Sequence, residues 1–347
     1  MQQTLVLAKR GLLTVSPNPM VGCIVVKNGL IVGEGWHQEA GEPHAEVYAL
    51  RQAGDLAKNS TVYLSLEPCC HKGRTPPCVD LLINAQVSKV VVATLDPNPK
   101  VAGKGVLKLQ NAGVTVEVGL LEKQAQELNK IFFHFQNTKK PYVFAKWAMS
   151  LDGRMSVNNN DDKQISSEKS KEYTHQIRNI CDAIVIGKNT LLADDPKLDV
   201  RVAVQKVSNP KRFVIFSKLE NINPQWAILD KKVADTIFVC TNISDIAKEQ
   251  LQKLHIEYWL LPNNHNKVCL NKLLSKMAEQ GITSLLVEGG NALLSEFISQ
   301  NIVDEFITYI SPIVIANLNP KQNLGWKISR VGGDILVNAK IKGEHDV

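Results

Sequence analysis

Long apolar runs are missing from this sequence. No apolar stretch in its 347 residues approaches the roughly 18–20 residues that a membrane-spanning helix needs. The N-terminal stretch 1–19 is interrupted by Lys9 and Arg10 and has no small-residue cleavage site, so it predicts a first helix instead of a signal peptide. We therefore expect a cytoplasmic protein with no membrane partner.

Basic runs interleaved with aromatic residues are missing as well. The net charge is +6, from 40 Lys and Arg against 34 Asp and Glu, and the basic residues are scattered along the chain. Such a surplus attracts phosphate-bearing small molecules as readily as nucleic acid. The charge pattern therefore gives no reason to expect a nucleic-acid partner.

The chain also lacks an internal repeat, a low-complexity tract and a Gly-x-Gly-x-x-Gly fingerprint after a strand, so an ordinary Rossmann site is not expected. Strand patterns alternate with helix patterns in both halves, which indicates an α/β fold. The length suits two domains of roughly 100–200 residues each. The polar segment 137–141 interrupts the alternation, and we place a domain at 1–140 and another at 141–347.

Local patterns predict the order of the elements. In the first half they predict, in order, a hairpin at 21–26 and 30–36, a helix at 45–53, a strand at 61–68, a helix at 79–85, a strand at 87–96, a helix at 103–112, a strand at 114–119 and one longer helix at 120–135. In the second half they predict a strand from 142, a helix at 167–179, strands at 182–187, 212–217, 236–241, 255–260 and 282–288, a helix at 291–300 and a strand at 303–310.

Cysteine is scarce and unevenly placed. There are seven cysteines, an odd number, and Cys69, Cys70 and Cys78 lie within ten residues of one another. In a cytosolic chain such a cluster favours metal binding or catalysis over a disulfide framework. The other four stand in apolar runs and are predicted to be small core residues: Cys23, Cys181, Cys240 and Cys269.

The strongest chemical signal is His44-Ala45-Glu46 followed by Pro68-Cys69 and, nine residues later, Cys78. Zinc favours imidazole and thiolate ligands, and a catalytic site keeps one position for water. His-x-Glu followed by Pro-Cys and a second cysteine is the pattern of zinc-dependent nucleobase deaminases, in which the Glu moves protons and is not a ligand. Cys70 or His71 could compete as ligands, and we favour Cys69 because it directly follows Pro68.

This pattern predicts a hydrolytic deamination. His44 and Cys78 are each predicted to open a helix, where the helix dipole favours thiolate over thiol. Zinc would lower the pKa of its water toward roughly 7. Glu46 would take the proton as hydroxide attacks the ring carbon, and would then protonate the amine that leaves as ammonia.

The long loop between the cysteines narrows the substrate. His71, Lys72 and Arg74 could bind a phosphate, which indicates a free phosphorylated nucleotide. Two other interpretations stay open at this point. One is a nucleic-acid-editing deaminase with an appended binding domain, and the other is a non-catalytic scaffold whose structural zinc has a fourth ligand such as Cys70 or His71.

The residues also resemble a known family. TVSPNPMVGCIVV (14–26), HAE (44–46) and SLEPCCHKGRTPPC (65–78) closely resemble the deaminase half of the bifunctional riboflavin-biosynthesis deaminase/reductase. The segments 146–154, 177–201 and 285–298 resemble its reductase half, which is similar in fold to dihydrofolate reductase. The resemblance implies a cytidine-deaminase-like three-layer domain followed by a dihydrofolate-reductase-like α/β domain.

The same resemblance implies two reactions and their cofactors. Zinc would serve the deamination of a diaminopyrimidinone ribosyl phosphate, and NADPH would serve the reduction of the ribosyl chain to ribityl. We also expect a homo-oligomer. From the residues alone the choice between NADPH and NADH stays open, with Lys218 beside Ser217 as a candidate for a 2′-phosphate.

The resemblance implies site residues at matching positions. Near the cofactor it places Ala148, Gln164, Thr190, Asp194, Ser217, Gly290, Asn291 and Ala292. Near the substrate it places Asn18, His71, Asp162, Arg178, Leu198, Arg201 and Glu288. Lys146 and Asp152 would stabilise charge at the reacting sugar.

Local chemistry offers other roles for several of these positions. Asn18 suits a turn between prolines, and Asp194 suits a helix-end turn. Gly289-Gly290 could admit a pyrophosphate to a helix N-terminus or simply form a tight strand–helix turn. Arg178 and Arg201 could bind a phosphate as guanidinium forks or could form surface ion pairs.

Two segments depart from the family pattern. The family usually carries Trp-Ile-Thr before the helix at 167–179, and this chain has Gln164-Ile165-Ser166. The glycine-containing loop of the family is also altered at 311–317. The missing Trp falls where the family's nicotinamide wall is expected, and the two changes together leave a weakened reductase as one expectation.

Overall fold

The computed structural model describes residues 1–70, 77–155, 165–201, 209–263, 265–315, 322–331 and 334–341. Three of the predicted site residues, His71, Asp162 and Gln164, lie outside these ranges. The chain divides into two compact units, Met1–Tyr142 together with Leu274–Thr283 and Val143–Leu273 together with Ser284–Val347. Within the described ranges, no helix has the length and apolar character needed to cross a membrane.

The first unit is built on a five-stranded mixed sheet of order β2-β1-β3-β4-β5. Strand β1 pairs antiparallel with β2 and β3, whereas β3, β4 and β5 are parallel. The elements in chain order are α1 (Gln2–Lys9), β1 (Gly22–Lys27), β2 (Leu30–Trp36), α2 (Ala45–Ala53), β3 (Thr61–Leu64), α3 (Cys78–Asn84), β4 (Lys89–Val92), α4 (Lys104–Asn111), β5 (Thr115–Val118), α5 (Glu122–Leu128) and α6 (Lys130–Thr138).

Helix α2 lies directly against the first hairpin because small residues face each other there. Ala45, Ala49 and Ala53 are buried along one side of the helix. A Cβ at Gly35 of β2 would lie 2.3 Å from the Ala45 carbonyl oxygen, so only glycine permits this approach. The close packing fixes the first turn of α2, and with it His44 and Glu46.

The prediction of one helix at 120–135 is wrong. The chain forms α5 and α6, which are separated by Asn129 with φ −107° and ψ 25°. Helix α6 also continues through Thr138, so the predicted polar linker at 137–141 begins inside a helix. The strand predicted at 61–68 ends earlier, at Leu64.

The second unit contains a seven-stranded sheet of order β10-β9-β8-β7-β11-β6-β12. The pairings β10–β9, β9–β8, β8–β7, β7–β11 and β6–β12 are parallel. The elements are β6 (Tyr142–Ser150), α7 (Glu168–Ile180), β7 (Ala183–Gly187), α8 (Lys188–Asp194), β8 (Lys211–Leu219), β9 (Thr236–Ile243), α9 (Asp245–Lys253), β10 (Glu257–Leu260), α10 (Leu270–Glu279), β11 (Ser284–Glu288), α11 (Asn291–Ser299) and β12 (Glu305–Ser311).

The last three described strands form a separate three-stranded sheet of order β13 (Ile313–Val314), β14 (Gln322–Val331) and β15 (Asp334–Ile341). The predicted α/β class is confirmed in both units. Helices α8, α9 and α10 and the last three strands were not among the predicted elements. Cys23, Cys181 and Cys240 are buried as predicted, whereas Cys269 is only half-buried.

Candidate functional site

Three zinc-type ligands meet in the first unit. His44 is the residue that caps the N-terminus of α2, Cys78 is the first residue of α3, and Cys69 lies in the segment after β3. Their ligand atoms all lie within 4.8 Å of one another. The Nδ1 atom of His44 is 3.6 Å from Cys69 Sγ and 3.3 Å from Cys78 Sγ.

These distances suit a zinc ion. Tetrahedral bonds of about 2.0–2.1 Å to nitrogen and about 2.3 Å to sulfur would set each nitrogen and sulfur about 3.5 Å apart. Three protein ligands also leave a position for water, which is the arrangement of catalytic zinc. Of the competing ligands, Cys70 Sγ lies 3.8 Å from the Lys100 carbonyl oxygen, and His71 lies outside the described residues.

One thiolate is favoured at this site before any metal binds. The hydrogen bond from Cys78, with further help from His44, lowers the pKa of Cys69 to about 4. The same hydrogen bond raises the pKa of Cys78, because a thiolate there would face a second thiolate. The hydrogen bond to Cys69 raises the pKa of His44. A bound zinc ion would therefore displace a proton from Cys78 and would also compete with a proton for His44.

Glu46 stands beside the cluster with an unused carboxylate oxygen. Its side chain is 2% exposed, and its Oε2 atom has no hydrogen-bond partner. Burial raises the pKa of Glu46, and the nearby negative charge of Cys69 raises it further. A buried carboxylate with a raised pKa and an open oxygen can both accept and return a proton.

The cluster opens on a cavity of about 360 Å³ that Asn18, His44, Glu46 and Cys69 all line. Phe132, Phe135 and Gln136 of α6 form another part of its wall. No sequence motif pointed to these three residues. Their spacing of three and four residues on a helix was the available signal, but it did not show which side of the helix meets the cavity.

Asn18 is oriented by His37, another residue that no sequence motif indicated. His37 Nδ1 lies 3.2 Å from the Pro43 carbonyl oxygen, which can only accept, so Nδ1 carries the proton. Burial lowers the pKa of His37, which favours the neutral ring. Its Nε2 atom then accepts from Asn18 Nδ2 at 3.3 Å. This assignment leaves the amide oxygen of Asn18 to accept from a ligand in the cavity.

Glu67 fastens the loop that carries other cavity residues. Its carboxylate is 4% exposed and accepts four backbone N–H groups. Asp96 and Gly103 donate to Oε2 at 3.2 and 2.8 Å, and Gly105 and Val106 donate to Oε1 at 2.9 and 3.2 Å. Glu67 stands two residues before Cys69, in the segment that we call the metal segment because it carries this ligand candidate. Glu67 therefore joins the metal segment to the loop that contributes Asp96 and Asn98 to the cavity wall.

A larger cleft, of about 570 Å³, lies in the second unit. It opens where β7, β8 and β11 end, and ligands of parallel α/β sheets bind at the carboxyl ends of strands. Five predicted cofactor residues line it: Thr190, Ser217, Gly290, Asn291 and Ala292. Lys188, Lys218 and Lys267 also line the cleft. Two of these lysines pair with glutamates of the same lining, Lys218 with Glu220 at 2.9 Å and Lys267 with Glu296 at 2.8 Å.

Thr190 fixes the glycine turn at the mouth of this cleft. Its Oγ1 atom accepts from the Gly290 backbone N–H at 3.1 Å. Gly289 has φ +140°, and a Cβ there would lie 3.0 Å from the same hydroxyl oxygen. Glycine is therefore required at 289, and the turn delivers the first residues of α11 to the cleft.

A buried ion pair occupies the predicted substrate region. Arg178 donates from Nε and Nη2 to the two carboxylate oxygens of Glu288 at 2.7 and 2.9 Å, and from Nη1 to the Asp199 carbonyl oxygen at 3.1 Å. Burial opposes ionisation of Glu288, but the charge of Arg178 outweighs it and holds the pKa below its ordinary value. Lys146 Nζ lies 4.0 Å from Glu288 Oε2.

The remaining predicted residues do not line the large cleft. Asp194 is exposed at the end of α8, and Ala148 is half-buried on β6. Leu198 is buried with φ +51°. Arg201 pairs with Asp199 at 3.1 Å and its side chain is 68% exposed, whereas Asp152 Oδ1 accepts from the Ile315 N–H at 3.0 Å.

Comparison with known proteins assigns both units. The family described as "RibD C-terminal domain" matches residues 141–323, and the one described as "Cytidine and deoxycytidylate deaminase zinc-binding region" matches residues 1–94. The riboflavin biosynthesis protein RibD of Aquifex aeolicus is 41% identical over 315 residues, which cover 91% of this chain and 86% of that protein. The chain belongs to the RibD family.

Other RibD proteins agree along most of the chain. The Escherichia coli protein is 40% identical over 328 residues, covering 91% of this chain and 88% of that one. The Acinetobacter baumannii RibD structure superposes with a TM-score of 0.81 at 35% identity, covering 99% and 98% of the two chains. The structure of a Thermotoga maritima diaminohydroxyphosphoribosylaminopyrimidine deaminase/5-amino-6-(5-phosphoribosylamino)uracil reductase has a TM-score of 0.78 at 31% identity, covering 99% and 97%. The chain thus combines a zinc-binding deaminase region with a RibD reductase domain.

Proposed function

We propose that the protein is a bifunctional enzyme of riboflavin biosynthesis. The first unit removes ammonia from a diaminopyrimidinone ribosyl phosphate, and the second reduces the ribosyl chain of the product with NADPH. The observation that carries the proposal is the meeting of His44, Cys69 and Cys78 with the open carboxylate oxygen of Glu46. The similar Thermotoga maritima protein, whose name pairs a deaminase with a reductase, supports it.

Different residues of the first unit have different roles in deamination. Zinc held by His44, Cys69 and Cys78 supplies a Lewis acid that makes water acidic. Glu46 takes a proton from the attacking water and returns it to the exocyclic amine, which leaves as ammonia. Asn18, oriented by His37, accepts from the pyrimidine edge.

The second unit aligns two ligands. NADPH supplies the hydride, so the protein contributes binding and orientation. The turn at Gly290 and Lys188 of the large cleft would hold the pyrophosphate. Lys146 would stabilise charge at the reacting sugar, with Asp152 in a similar role. Because Arg178 is committed to Glu288, the exposed Arg201 is the better candidate for the substrate phosphate.

A cytoplasmic homo-oligomer is also part of the proposal. Light scattering of the purified protein and fractionation of cells test these two points. The nucleic-acid-editing alternative is not favoured, because RibD relatives match both halves of the chain.

The test is to supply the diaminopyrimidinone ribosyl phosphate and to follow ammonia release and NADPH oxidation separately. We expect ammonia release without NADPH, and NADPH oxidation only once the deaminated product is present. Ammonia without any oxidation would indicate that the changes at Gln164 and 311–317 weaken the reductase. Ammonia release from a single-stranded oligonucleotide in place of the nucleotide would contradict the proposal.

A further inference from the structure

Asn129 is a buried polar residue that the catalytic motifs leave unexplained. Its side chain is 3% exposed and lies between α5 and α6. Its Oδ1 atom accepts from the Met20 N–H at 2.8 Å, and its Nδ2 atom donates to the Met20 carbonyl oxygen at 2.9 Å. One amide side chain therefore pairs with both backbone groups of a single residue that lies 109 positions earlier.

The segment around Met20 depends on this pair because it has few backbone donors. Pro17 and Pro19 have no N–H group, so only Asn18 and Met20 can donate in the stretch from 17 to 20. The Asn18 N–H donates to the Val15 carbonyl oxygen at 2.7 Å, and the Met20 N–H donates to Asn129. The cavity residue Asn18 is thus held on one side by its own turn and on the other by Asn129.

Asn129 also sets the course of the helix that forms the cavity wall. Its own N–H bonds to the carbonyl oxygens of Ala125 and Gln126 at the end of α5, and its carbonyl oxygen accepts from the Phe133 N–H at the start of α6. The residue therefore ends one helix and begins the next. Phe132, Phe135 and Gln136 reach the cavity from the redirected helix.

We propose that Asn129 is a positioning residue for deamination, which holds Asn18 through the Met20 peptide and sets the α6 side of the cavity. This role rests on the proposed deaminase function. Aspartate cannot reproduce it, because a carboxylate would face the Met20 carbonyl oxygen without a proton to donate. Alanine removes both bonds and adds no charge.

The experiment compares Asn129→Asp, Asn129→Ala and the matched control Asn111→Asp, which changes an exposed asparagine at the end of α4. Each full-length protein is assayed for zinc content, ammonia release and NADPH oxidation with the deaminated substrate supplied. For both Asn129 variants we expect deaminase kcat/KM to fall about tenfold, mainly through KM. Zinc content and NADPH oxidation stay at the wild-type level, and Asn111→Asp matches the wild type in every assay.

A double-mutant cycle separates positioning from a general structural role. If Asn129 acts through Asn18, the Asn18→Ala/Asn129→Ala protein loses little more than Asn18→Ala alone, because coupled residues give non-additive losses. Hydrogen exchange at the Met20 amide adds a readout that needs no activity, and it becomes faster in Asn129→Ala.

Three results overturn the proposal. They are fully additive losses in the cycle, wild-type KM in both Asn129 variants, or loss of zinc and NADPH oxidation together with deamination. Absence of ammonia release from the wild-type protein itself would instead overturn the deaminase function, so the two failures are distinguishable.

Discussion

The Glu67→Gln substitution tests how the metal segment is joined to the cavity loop. Glutamine has nearly the same shape as glutamate but keeps only one acceptor oxygen. Whichever way the new amide turns, two of the four backbone N–H groups at Asp96, Gly103, Gly105 and Val106 then face an NH2 group.

The size of the effect follows from those two bonds. Hydrogen bonds to a charged acceptor contribute about 1.5–3 kcal/mol each, so losing two costs about 3 kcal/mol at the lower bound. With a urea dependence of about 2 kcal/mol per molar for a domain of this size, the midpoint falls by about 1.5 M. The matched control is Glu117→Gln, which breaks the exposed pair with Lys89 and should cost less than about 1 kcal/mol.

Release of zinc into a chromophoric chelator during urea titration reports unfolding of the deaminase unit alone. We expect Glu67→Gln to release zinc at a clearly lower urea concentration than the wild type, with Glu117→Gln close to the wild type. Equal midpoints for the two variants would refute the view that Glu67 holds the 96–106 loop.

Two further predictions concern the reductase unit. Glu288→Gln leaves Arg178 as an unpaired buried charge and should cost about 3–5 kcal/mol at pH 7. Arg178 holds the pKa of Glu288 below 4.5 in the folded state, so the stability that Glu288 contributes is present above that pH and is lost as pH falls through the folded pKa. The difference in unfolding free energy between wild type and variant, measured in urea, should therefore narrow below about pH 4.5. A difference that stays constant with pH would contradict the pairing. Thr190→Val should raise KM for NADPH severalfold without affecting ammonia release, since it frees the Gly290 amide. Asp194 does not line the cleft, so Asp194→Ala should change the KM for NADPH less than Thr190→Val does. A larger change in Asp194→Ala would instead favour the cofactor-binding role of Asp194 that the family resemblance implies.

The sequence was sufficient to predict the bounds of a helix where the residues next to its two ends determine them. The bounds predicted for α2, 45–53, are those observed, because Pro43 and His44 precede its first turn and Gly54 ends it. The hairpin of β1 and β2 could also be predicted, because Asn28-Gly29 is a sequence that favours a tight two-residue turn. Both residues take the positive φ that such a turn requires. The clustering of His44, Cys69 and Cys78 was predictable from residue type and spacing.

Long-range contacts set the features that were missed. The break between α5 and α6 depends on Asn129 pairing with Met20, and no local pattern around residue 129 contains that information. His37 acts between the Pro43 carbonyl oxygen and the Asn18 side chain, and Glu67 accepts from backbone N–H groups at 96–106. The sequence left Arg178 between a phosphate fork and an ion pair, because its sequence context cannot show that Glu288 accepts from two of its nitrogens.

The most direct test of the central claim is Glu46→Gln, measured for zinc content and ammonia release on the same sample. The proposed ligands His44, Cys69 and Cys78 are untouched, so we expect about one zinc ion per chain, as in the wild type. Ammonia release should fall roughly 10²–10⁴-fold, and NADPH oxidation with the deaminated substrate should be unchanged. Ammonia release at the wild-type rate from zinc-loaded Glu46→Gln would contradict the assignment of Glu46 as the proton carrier and, with it, the proposed chemistry of the site.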